Sequence, residues 1–461
     1  MRNRNLLKGA ILFLVATFYS CKKFVQVAPP VNELATVSVF KNDETAIAAV
    51  RGIYIRMMGS GSIAGGLNSI SHLVGLSSDE LKDNTGNSNY LEFNQNSLIA
   101  ANTIIKAEIW QDSYNYIFHA NSILEGLGNS ASLSTATKRQ LIGEAKFIRA
   151  FFYFYLVNLF GDIPLITSTE YKSNSLASRA PVVEVYNQII SDLLEAQSVM
   201  IADYSMEGGQ RIRPNKWTAT ALLARVYLFN KEWAKAEEQA TSLISNTGLF
   251  RITNTLDSTF LKNNTESIWQ LMPTLSGYNT LDGNLFIVNS NSPQVFLTDY
   301  VFNSFEFGDQ RKTKWVNSYS SGTSVWRYPF KYKIKTGASP LNEYTVVLRL
   351  AEQYLIRSEA RAEQNRVADA QADINVVRNR AGLGNTTATD KSSLLTAIEN
   401  ERFVELFSEW GHRWLDLKRW NRAGAVLQPI KGSGWQPTDV LYPIPQSELD
   451  NDPNLTQNDG Y

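Results

Sequence analysis

Within residues 348–383, apolar and polar positions alternate with the period of an α-helix. One stripe of small and apolar residues recurs at spacings of three and four and consists of Ala351, Leu355, Ser358 and Ala362. A second stripe of the same kind consists of Val367, Ala370, Ile374, Val377 and Ala381. Gly382 follows it, at a position typical of a helix end, so the pattern predicts two helices joined by a turn. Because alanine-rich faces bury little area alone, such a hairpin needs stacked neighbours, as in a helical repeat.

A second copy of this pattern lies upstream. Its first stripe consists of Trp217, Ala221, Ala224 and Leu228, and its second of Trp233, Ala236, Ala240 and Leu243, with Gly248 at the end. The aromatic Tyr227 near the end of the first helix and the alanines of the second resemble a tetratricopeptide unit. Coiled-coil-like helix pairs use similar spacings, but two copies in one chain favour the repeat.

Five further helices follow from the same periodicity. They are predicted at residues 43–58, 110–124, 141–159, 182–200 and 393–407. The second half of the helix at 141–159 is aromatic nearly all round, which indicates deep burial.

Two long segments interrupt this helical series. Residues 59–102 are dominated by Gly, Ser and Asn and predict loops with little regular structure. Residues 277–341 are similar in composition but carry many aromatic residues, with short strands predicted at 268–271 and 325–334. We therefore expect a mainly α protein with a tetratricopeptide-like scaffold at about 35–58, 105–265 and 345–425. A loop-rich half with a few short strands, at about 59–104, 266–344 and 425–461, completes a single unit over residues 21–461.

The composition excludes one large class of partner. The chain has 44 basic and 44 acidic residues and no net formal charge. A nucleic-acid-binding protein usually shows a basic excess, so no nucleic-acid partner is expected.

The N-terminus has the pattern of an export signal. Arg2, Arg4 and Lys8 precede an apolar run at residues 9–19 that is too short to span a bilayer. Cys21, the only cysteine, follows directly, where a bacterial lipoprotein is cleaved and acylated. We predict a lipoprotein signal peptide at residues 1–20 and lipidation of Cys21; the alternative is an ordinary signal peptide with an incidental thiol. Removal of residues 1–20 would leave 41 basic against 44 acidic residues.

The sequence offers little for catalysis or metal binding. The three histidines, His72, His119 and His412, lie far apart without metal-ligand spacing, and no nucleophile elbow, phosphate loop or dinucleotide motif is present. Paired carboxylates could hydrolyse glycosides, and Glu401 and Glu405 are one helical turn apart, with Glu409 a turn further. Three arginines lie close in sequence, at 402, 413 and 419, and arginine-paired carboxylates are usually structural. We predict no catalytic residues, no metal site and no cofactor. Asp79 and Glu80 lie in a polar loop, where a binding role is possible.

The aromatic residues in the second irregular segment are the better functional lead. Apolar faces of sugar rings stack on exposed Trp and Tyr, while Asn, Asp and Arg bond the hydroxyl groups. The alternative for each ring is that it packs the segment against the helices.

Short motifs along nearly the whole chain point to one family. They include RAF at 149–151 with GDIP at 161–164, residues 347–360 and 375–383, ER at 401–402 with EL at 405–406, RWLDLKRW at 413–420, and the tail motifs LYPIP at 441–445, Glu448, NLTQN at 454–458 and GY at 460–461. In this order, after a lipoprotein-like N-terminus, they resemble the SusD/RagB-type outer-membrane lipoproteins.

This resemblance implies a function without covalent chemistry. It implies a lipid-anchored protein of the outer membrane, facing the cell exterior, that captures oligosaccharide or polysaccharide and delivers it to a SusC-like TonB-dependent transporter. Some RagB-type members capture peptides instead, and this alternative stays open. Lys22 and Lys23 after the cysteine differ from the acidic export signals of surface lipoproteins, so the outward orientation follows from the resemblance alone. The regions that hold the sugar platform in the family's glycan binders contain six candidate ligand residues here: Asn84, Tyr90, Trp315, Tyr319, Trp326 and Tyr328.

Overall fold

The helical scaffold follows the periodic segments of the sequence. A computed structural model describes residues 39–59, 61–63, 65–337 and 339–461. The predicted signal segment, Cys21 and residues 35–38 lie outside the described residues. The scaffold helices are α1 (Asp43–Met57), α4 (Asp112–Asn129), α5 (Thr135–Phe160), α7 (Val182–Val199), α8 (Lys216–Phe229), α9 (Trp233–Ile244), α13 (Leu350–Glu363), α14 (Val367–Arg380) and α15 (Lys391–Leu406). The mainly helical fold class and both predicted hairpins, α8–α9 and α13–α14, are confirmed.

These helices pack in a continuous series. Helix α4 contacts α5, α5 contacts α7, α7 contacts α8, and α8 contacts α9. The next contact is between α9 and α13, although about a hundred residues separate them in the chain. Helices α14 and α15 continue the series. The second irregular segment therefore leaves the scaffold after α9 and returns to it at α13, between two neighbouring repeats.

Most of the apolar core lies inside this series. From Phe147 to Leu156 every residue of α5 is buried, which confirms the burial predicted from its aromatic composition. A smaller core lies between α13, α14 and α15 around Leu355, Ile374 and Leu394. Within the described residues, no helix has both the length and the apolar character needed to cross a membrane.

The remaining elements lie in the irregular half and between the scaffold helices, and they are short. They are α2 (Ile70–Ser77), β1 (Leu81–Asp83), α3 (Ser88–Gln95), a π-helical turn (Ile105–Gln111), β2 (Ile163–Pro164), α6 (Tyr171–Asn174), β3 (Arg179–Ala180), β4 (Ser267–Leu271), α10 (Leu281–Phe286), β5 (Val295–Leu297), α11 (Asp299–Ser304), α12 (Arg311–Lys314), β6 (Val316–Ser321), β7 (Ser324–Pro329), β8 (Thr345–Arg349), α16 (His412–Arg419), α17 (Ala423–Lys431) and α18 (Gln446–Asn451). Single 3₁₀ turns lie at Ser205–Glu207, Leu256–Ser258, Gly432–Gly434 and Pro437–Val440. The strands form four antiparallel pairs, β1–β5, β2–β3, β4–β8 and β6–β7.

One prediction about segment structure was wrong. Residues 59–102 contain two helices and a strand instead of loops, and every residue of α2 is buried. Helix α2 packs against α16, where Gly411 has a φ of 68° and a side-chain carbon would come within 2.6 Å of Val74 Cγ1. Residues 245–265, predicted as scaffold, contain only one short 3₁₀ turn.

A buried ion network fastens the irregular half to the scaffold. Arg311 of α12 donates to Glu401 (2.6 Å) and Glu405 (2.8 Å) of α15. Arg349 donates to Glu409 (2.8 Å) and also pairs with Glu405, and Lys331 donates to Glu409. Each of these side chains is at least nine-tenths buried. Removing one partner from such a network leaves a charge buried without compensation, so the network fixes the position of the loops.

Candidate ligand-binding surface

The candidate surface is centred on the β6–β7 hairpin. Its two strands are connected by Gly322 and Thr323, and Gly322 has the positive φ (59°) that a tight hairpin turn requires. Tyr319 and Trp326 are directly opposite each other, with ring centroids 6.2 Å apart at an interplanar angle of 36°. This cross-strand contact places two aromatic rings side by side on one face of the hairpin.

That face carries further residues with a graded exposure. Because side chains alternate along a strand, cross-strand partners and every second residue share one face, and here they are Asn317, Tyr319, Ser321, Ser324, Trp326 and Tyr328. Tyr328 is buried against Ile287, Val288 and Phe330, whereas Tyr319 and Trp326 are only half-buried. The face is therefore anchored at its Tyr328 end and more accessible toward the turn. The hydroxyl groups of Ser321 and Ser324 lie at the turn, and the Asn317 amide lies at the Tyr328 end.

Asn84 is connected to the hairpin through strand β5. Strand β5 pairs with β1 and packs against β7, so it connects the residue after β1 to the hairpin. The backbone N–H of Asn84 donates to the carbonyl oxygen of Gln294 (2.8 Å), and its side-chain amide donates to that of Pro293 (2.8 Å). Asn84 is exposed, and these bonds hold its side chain in one orientation beside β5.

The other face of the hairpin carries residues that the sequence did not single out. Arg327 pairs with Asp299 (2.6 Å) and lies 4.1 Å from the ring centroid of Phe302. Lys312 lies 4.1 Å from the same centroid. Phe302 thus has two cations at its ring, and Tyr300 beside it is half-exposed. No spacing in the sequence indicates this arrangement, because it joins α11, α12 and β7.

The prediction that Trp315 is a ligand residue is corrected by its burial. Its side chain is fully buried, and its indole N–H donates to the carbonyl oxygen of Leu256 (3.1 Å). The ring packs edge-on to Phe260 at 5.6 Å and lies within 6 Å of three cations, those of Lys331, Arg349 and Arg380. Trp315 therefore anchors the segment before the hairpin to the ion network.

Tyr90 and Tyr328 are also less available than predicted. The Tyr90 side chain is buried, its hydroxyl donates to Asn68 Oδ1 (2.8 Å), and its ring packs edge-on to His72. Tyr328 is buried against Ile287 and Val288, at the end of the hairpin away from the turn. Of the six candidates, the structure brings Asn84, Tyr319 and Trp326 to an accessible surface.

The ionisable residues considered for chemistry are held in structural contacts. Burial alone would raise the pKa of Glu405, but the charges of Arg380, Arg349 and Arg311 outweigh it and hold that pKa well below its ordinary value. These partners are distant in sequence; the neighbouring Arg402, Arg413 and Arg419 pair instead with other carboxylates, chiefly Asp416, Asp79 and Glu359. The carboxylates at 401, 405 and 409 are thus structural, as predicted.

Asp79 and Glu80 do not form the polar loop that the sequence suggested. Asp79 is buried and accepts two hydrogen bonds from Arg413, each 2.8 Å long. Burial, with the adjacent charge of Asp79, raises the pKa of Glu80 to about 8. Both residues are enclosed and face no open surface.

The histidines have no arrangement that would bind a metal. Burial lowers the pKa of His72 to about 4 and that of His412 well below its ordinary value. His119 lies near the surface and contacts Arg56. Within the described residues, no cluster of three or more His, Cys, Asp or Glu side chains could hold a metal ion.

The architecture defines a class of protein: a helical-repeat scaffold that presents an irregular aromatic surface. Comparison with known sequence families identifies the family within this class. A family model described as "Starch-binding associating with outer membrane" matches residues 66–228, and one described as "SusD family" matches residues 194–461. The chain belongs to the SusD family of non-catalytic binding proteins, which is associated with glycan binding at the outer membrane.

Individual relatives match this chain over almost its full length. The chain is 25% identical to the SusD-like protein P25 of Formosa agariphila, with 97% of each chain covered. A SusD superfamily protein from Bacteroides vulgatus has the same fold, with a TM-score of 0.79 at 20% identity, covering 92% of this chain and 100% of that one. A laminarin-binding SusD-like protein matches with a TM-score of 0.74 at 26% identity, covering 92% and 100%.

Proposed function

We propose that the protein captures oligosaccharide or polysaccharide on the exposed aromatic face of the β6–β7 hairpin and delivers it to a SusC-like TonB-dependent transporter. The observation that carries the proposal is the cross-strand pair of Tyr319 and Trp326, whose partly accessible rings share one face with amide and hydroxyl groups. Aromatic faces stack on the apolar face of a sugar, and the polar groups fix its orientation. Asn84 supplies a further amide beside β5.

The anchor and the partner complete the proposal. Acylation of Cys21 after removal of residues 1–20 would hold the protein at the outer membrane, because two or more acyl chains anchor a protein stably. A lid-like position over the transporter, on the outer face of the cell, is the arrangement that the family resemblance suggests. Co-purification of a TonB-dependent barrel with the full-length lipoprotein from a native membrane tests this part.

The ligand test uses the soluble chain without residues 1–21. Native affinity electrophoresis against laminarin, amylopectin and a galactomannan should show retardation in at least one gel; laminarin comes first because a 26% identical neighbour binds it. Trp326→Ala should weaken binding about five-fold or more, since one aromatic contact contributes on the order of 1 kcal/mol. Tyr319→Ala should act in the same direction.

A matched control lies on the same hairpin. Val325 is exposed on the opposite face, next to Trp326, and Val325→Thr keeps its shape and β-branching. This variant should bind as the wild type does. Equal loss in Val325→Thr and Trp326→Ala would contradict a site on the aromatic face. Binding of peptides but of no glycan would favour the RagB-type alternative.

A further inference from the structure

A second groove lies away from the hairpin, between the π-helical turn with α4, the segment after β2, and the C-terminal helix α18. Its volume is about 810 Å³. It shares no lining residue with the hairpin surface. Its lining combines aromatic rings with side-chain amides, the same chemistry as the proposed sugar platform.

One wall is a single helical face. Gln111, Asn115 and Phe118 are spaced by four and three residues, so they lie on one side of the helix, and all three are exposed. The opposite wall carries Tyr171 and Asn174 of α6. The third wall consists of Glu448, Asn451, Asp452 and Leu455.

The base of the groove is rigid. The Trp110 and Tyr114 rings pack with centroids 5.0 Å apart, and Trp110 also packs edge-on to Phe160. The Tyr114 hydroxyl donates to the carbonyl oxygen of Pro164 (2.8 Å), which connects the helical wall to the opposite one. A ligand would therefore bind a preformed cleft, and the free-energy cost of ordering the groove on binding would be small.

Two rings are exposed at this groove although the base is well packed. Phe118 is 50% exposed and Tyr171 is 79% exposed. Exposed rings that line one cleft together indicate an interaction site more strongly than scattered ones do. Polar groups are oriented beside them: the Asn174 amide donates to the carbonyl oxygen of Ser168 (2.8 Å), and Gln111 donates to Glu448 (3.2 Å).

The charge of the lining restricts the ligand. Two carboxylates, Glu448 and Asp452, line the groove, and none of its lining residues is a lysine or an arginine. Uronate or sulfate groups would be repelled here, whereas neutral sugars can donate hydroxyl hydrogen bonds to these carboxylates. The hairpin surface differs, because Lys312 and Arg327 lie beside it.

We propose that this groove is a second carbohydrate-binding site, specific for neutral glycans, in which Phe118 and Tyr171 stack on sugar rings. The inference rests on the proposed glycan-binding function and extends it. A polysaccharide that reaches both sites would bind more tightly than either site alone allows, since the second contact becomes intramolecular.

The test separates the two sites by local protection. Hydrogen exchange of the soluble chain is measured with and without the best-binding neutral polysaccharide among laminarin, amylopectin and galactomannan. Protection is expected at residues 111–118 and 171–177 as well as at 316–329. In the Tyr319→Ala/Trp326→Ala variant, protection at the groove should persist. In Phe118→Ala/Tyr171→Ala, groove protection should disappear, and the dissociation constant should rise about five-fold or more.

Phe307→Ala serves as the control, because Phe307 is a fully exposed ring outside both sites, and it should bind as the wild type does. Unchanged exchange at 111–118 and 171–177 under saturating glycan would overturn the groove proposal while leaving the hairpin one intact. Protection confined to the groove would overturn the hairpin proposal alone. Protection nowhere would overturn both. Groove protection by a casein digest, with none by a glycan, would assign the groove to peptides and overturn it as a sugar site.

Discussion

Arg225 and Glu352 form a buried, bidentate ion pair between the two helical hairpins. The guanidinium Nε and Nη2 donate to the two carboxylate oxygens at 2.6 and 2.7 Å, and each side chain is 1% exposed. Arg225 lies on α8 and Glu352 on α13, which the irregular segment separates in sequence. The pair joins these two helices across that insertion.

Breaking this pair should destabilise the scaffold strongly. Glu352→Leu leaves the Arg225 charge buried and unpaired, so we expect the free energy of unfolding to fall by about 3–5 kcal/mol. Urea denaturation followed by circular dichroism measures it. The double variant Arg225→Met/Glu352→Leu should lose less, because no charge is then left unpaired. A single variant as stable as the wild type would show that the pair does not join the hairpins.

Trp315→Ala should affect stability and leave ligand binding nearly unchanged. The ring is fully buried, and replacing a buried tryptophan by alanine costs about 3–5 kcal/mol. Denaturation and affinity electrophoresis of the folded protein measure the two effects separately. Trp315→Phe should keep part of the packing and lose less. Weakened binding at unchanged stability would place Trp315 at the ligand after all.

Trp326→Ala should show the opposite pattern. The side chain is only partly buried on the hairpin face, so we expect the free energy of unfolding to fall by about 1 kcal/mol, the typical effect of a point substitution. The same two measurements should give near-normal stability and a clear loss of glycan affinity. A large loss of stability would mean that the ring mainly holds the hairpin together.

The stability of the protein should depend on pH through Asp282. Burial, with the charge of Glu409, raises the pKa of this carboxyl to about 7, above its ordinary value. Between about pH 4 and pH 7 the native state therefore keeps a proton on Asp282, whereas the unfolded chain has already released it. The free energy of unfolding falls as pH rises through that range. Asp282 accounts for at most about 1.4 kcal/mol per pH unit.

Asp282→Asn isolates this effect, because asparagine stays neutral at every pH. The variant's unfolding free energy should fall less steeply than that of the wild type between pH 5 and pH 7. Glu80, whose pKa is also raised, is present in both proteins and cancels in the comparison. Parallel curves for the two proteins would contradict the assignment to Asp282.

Local periodicity was enough to predict the scaffold. The stripes of α8, α9, α13 and α14 bury their small residues against neighbouring helices, so the sequence pattern and the packing agree. Helix α2 was missed because it is short and surrounded on all sides, which leaves no periodic contrast between a buried and an exposed face.

The candidate surface could be predicted only by region. Trp315 and Trp326 lie in the same Asn- and Ser-rich segment, yet Trp315 is fully buried and Trp326 is partly accessible. What separates them is the pairing register of β6 and β7 and the position of Trp315 just before the hairpin. That register depends on contacts with β5 and with residues 287–288, which are distant in sequence or part of irregular loops.

The graded burial of the hairpin has a consequence for evolution. Its base is held by Tyr328 and the nearby Trp315, whereas the positions near the turn contribute little to the core. Substitutions near the turn can therefore accumulate without unfolding the protein, and each changes the chemistry presented to solvent. We expect descendants of this chain to acquire new ligand preferences by drift at Ser321, Ser324 and Trp326 while the scaffold stays the same.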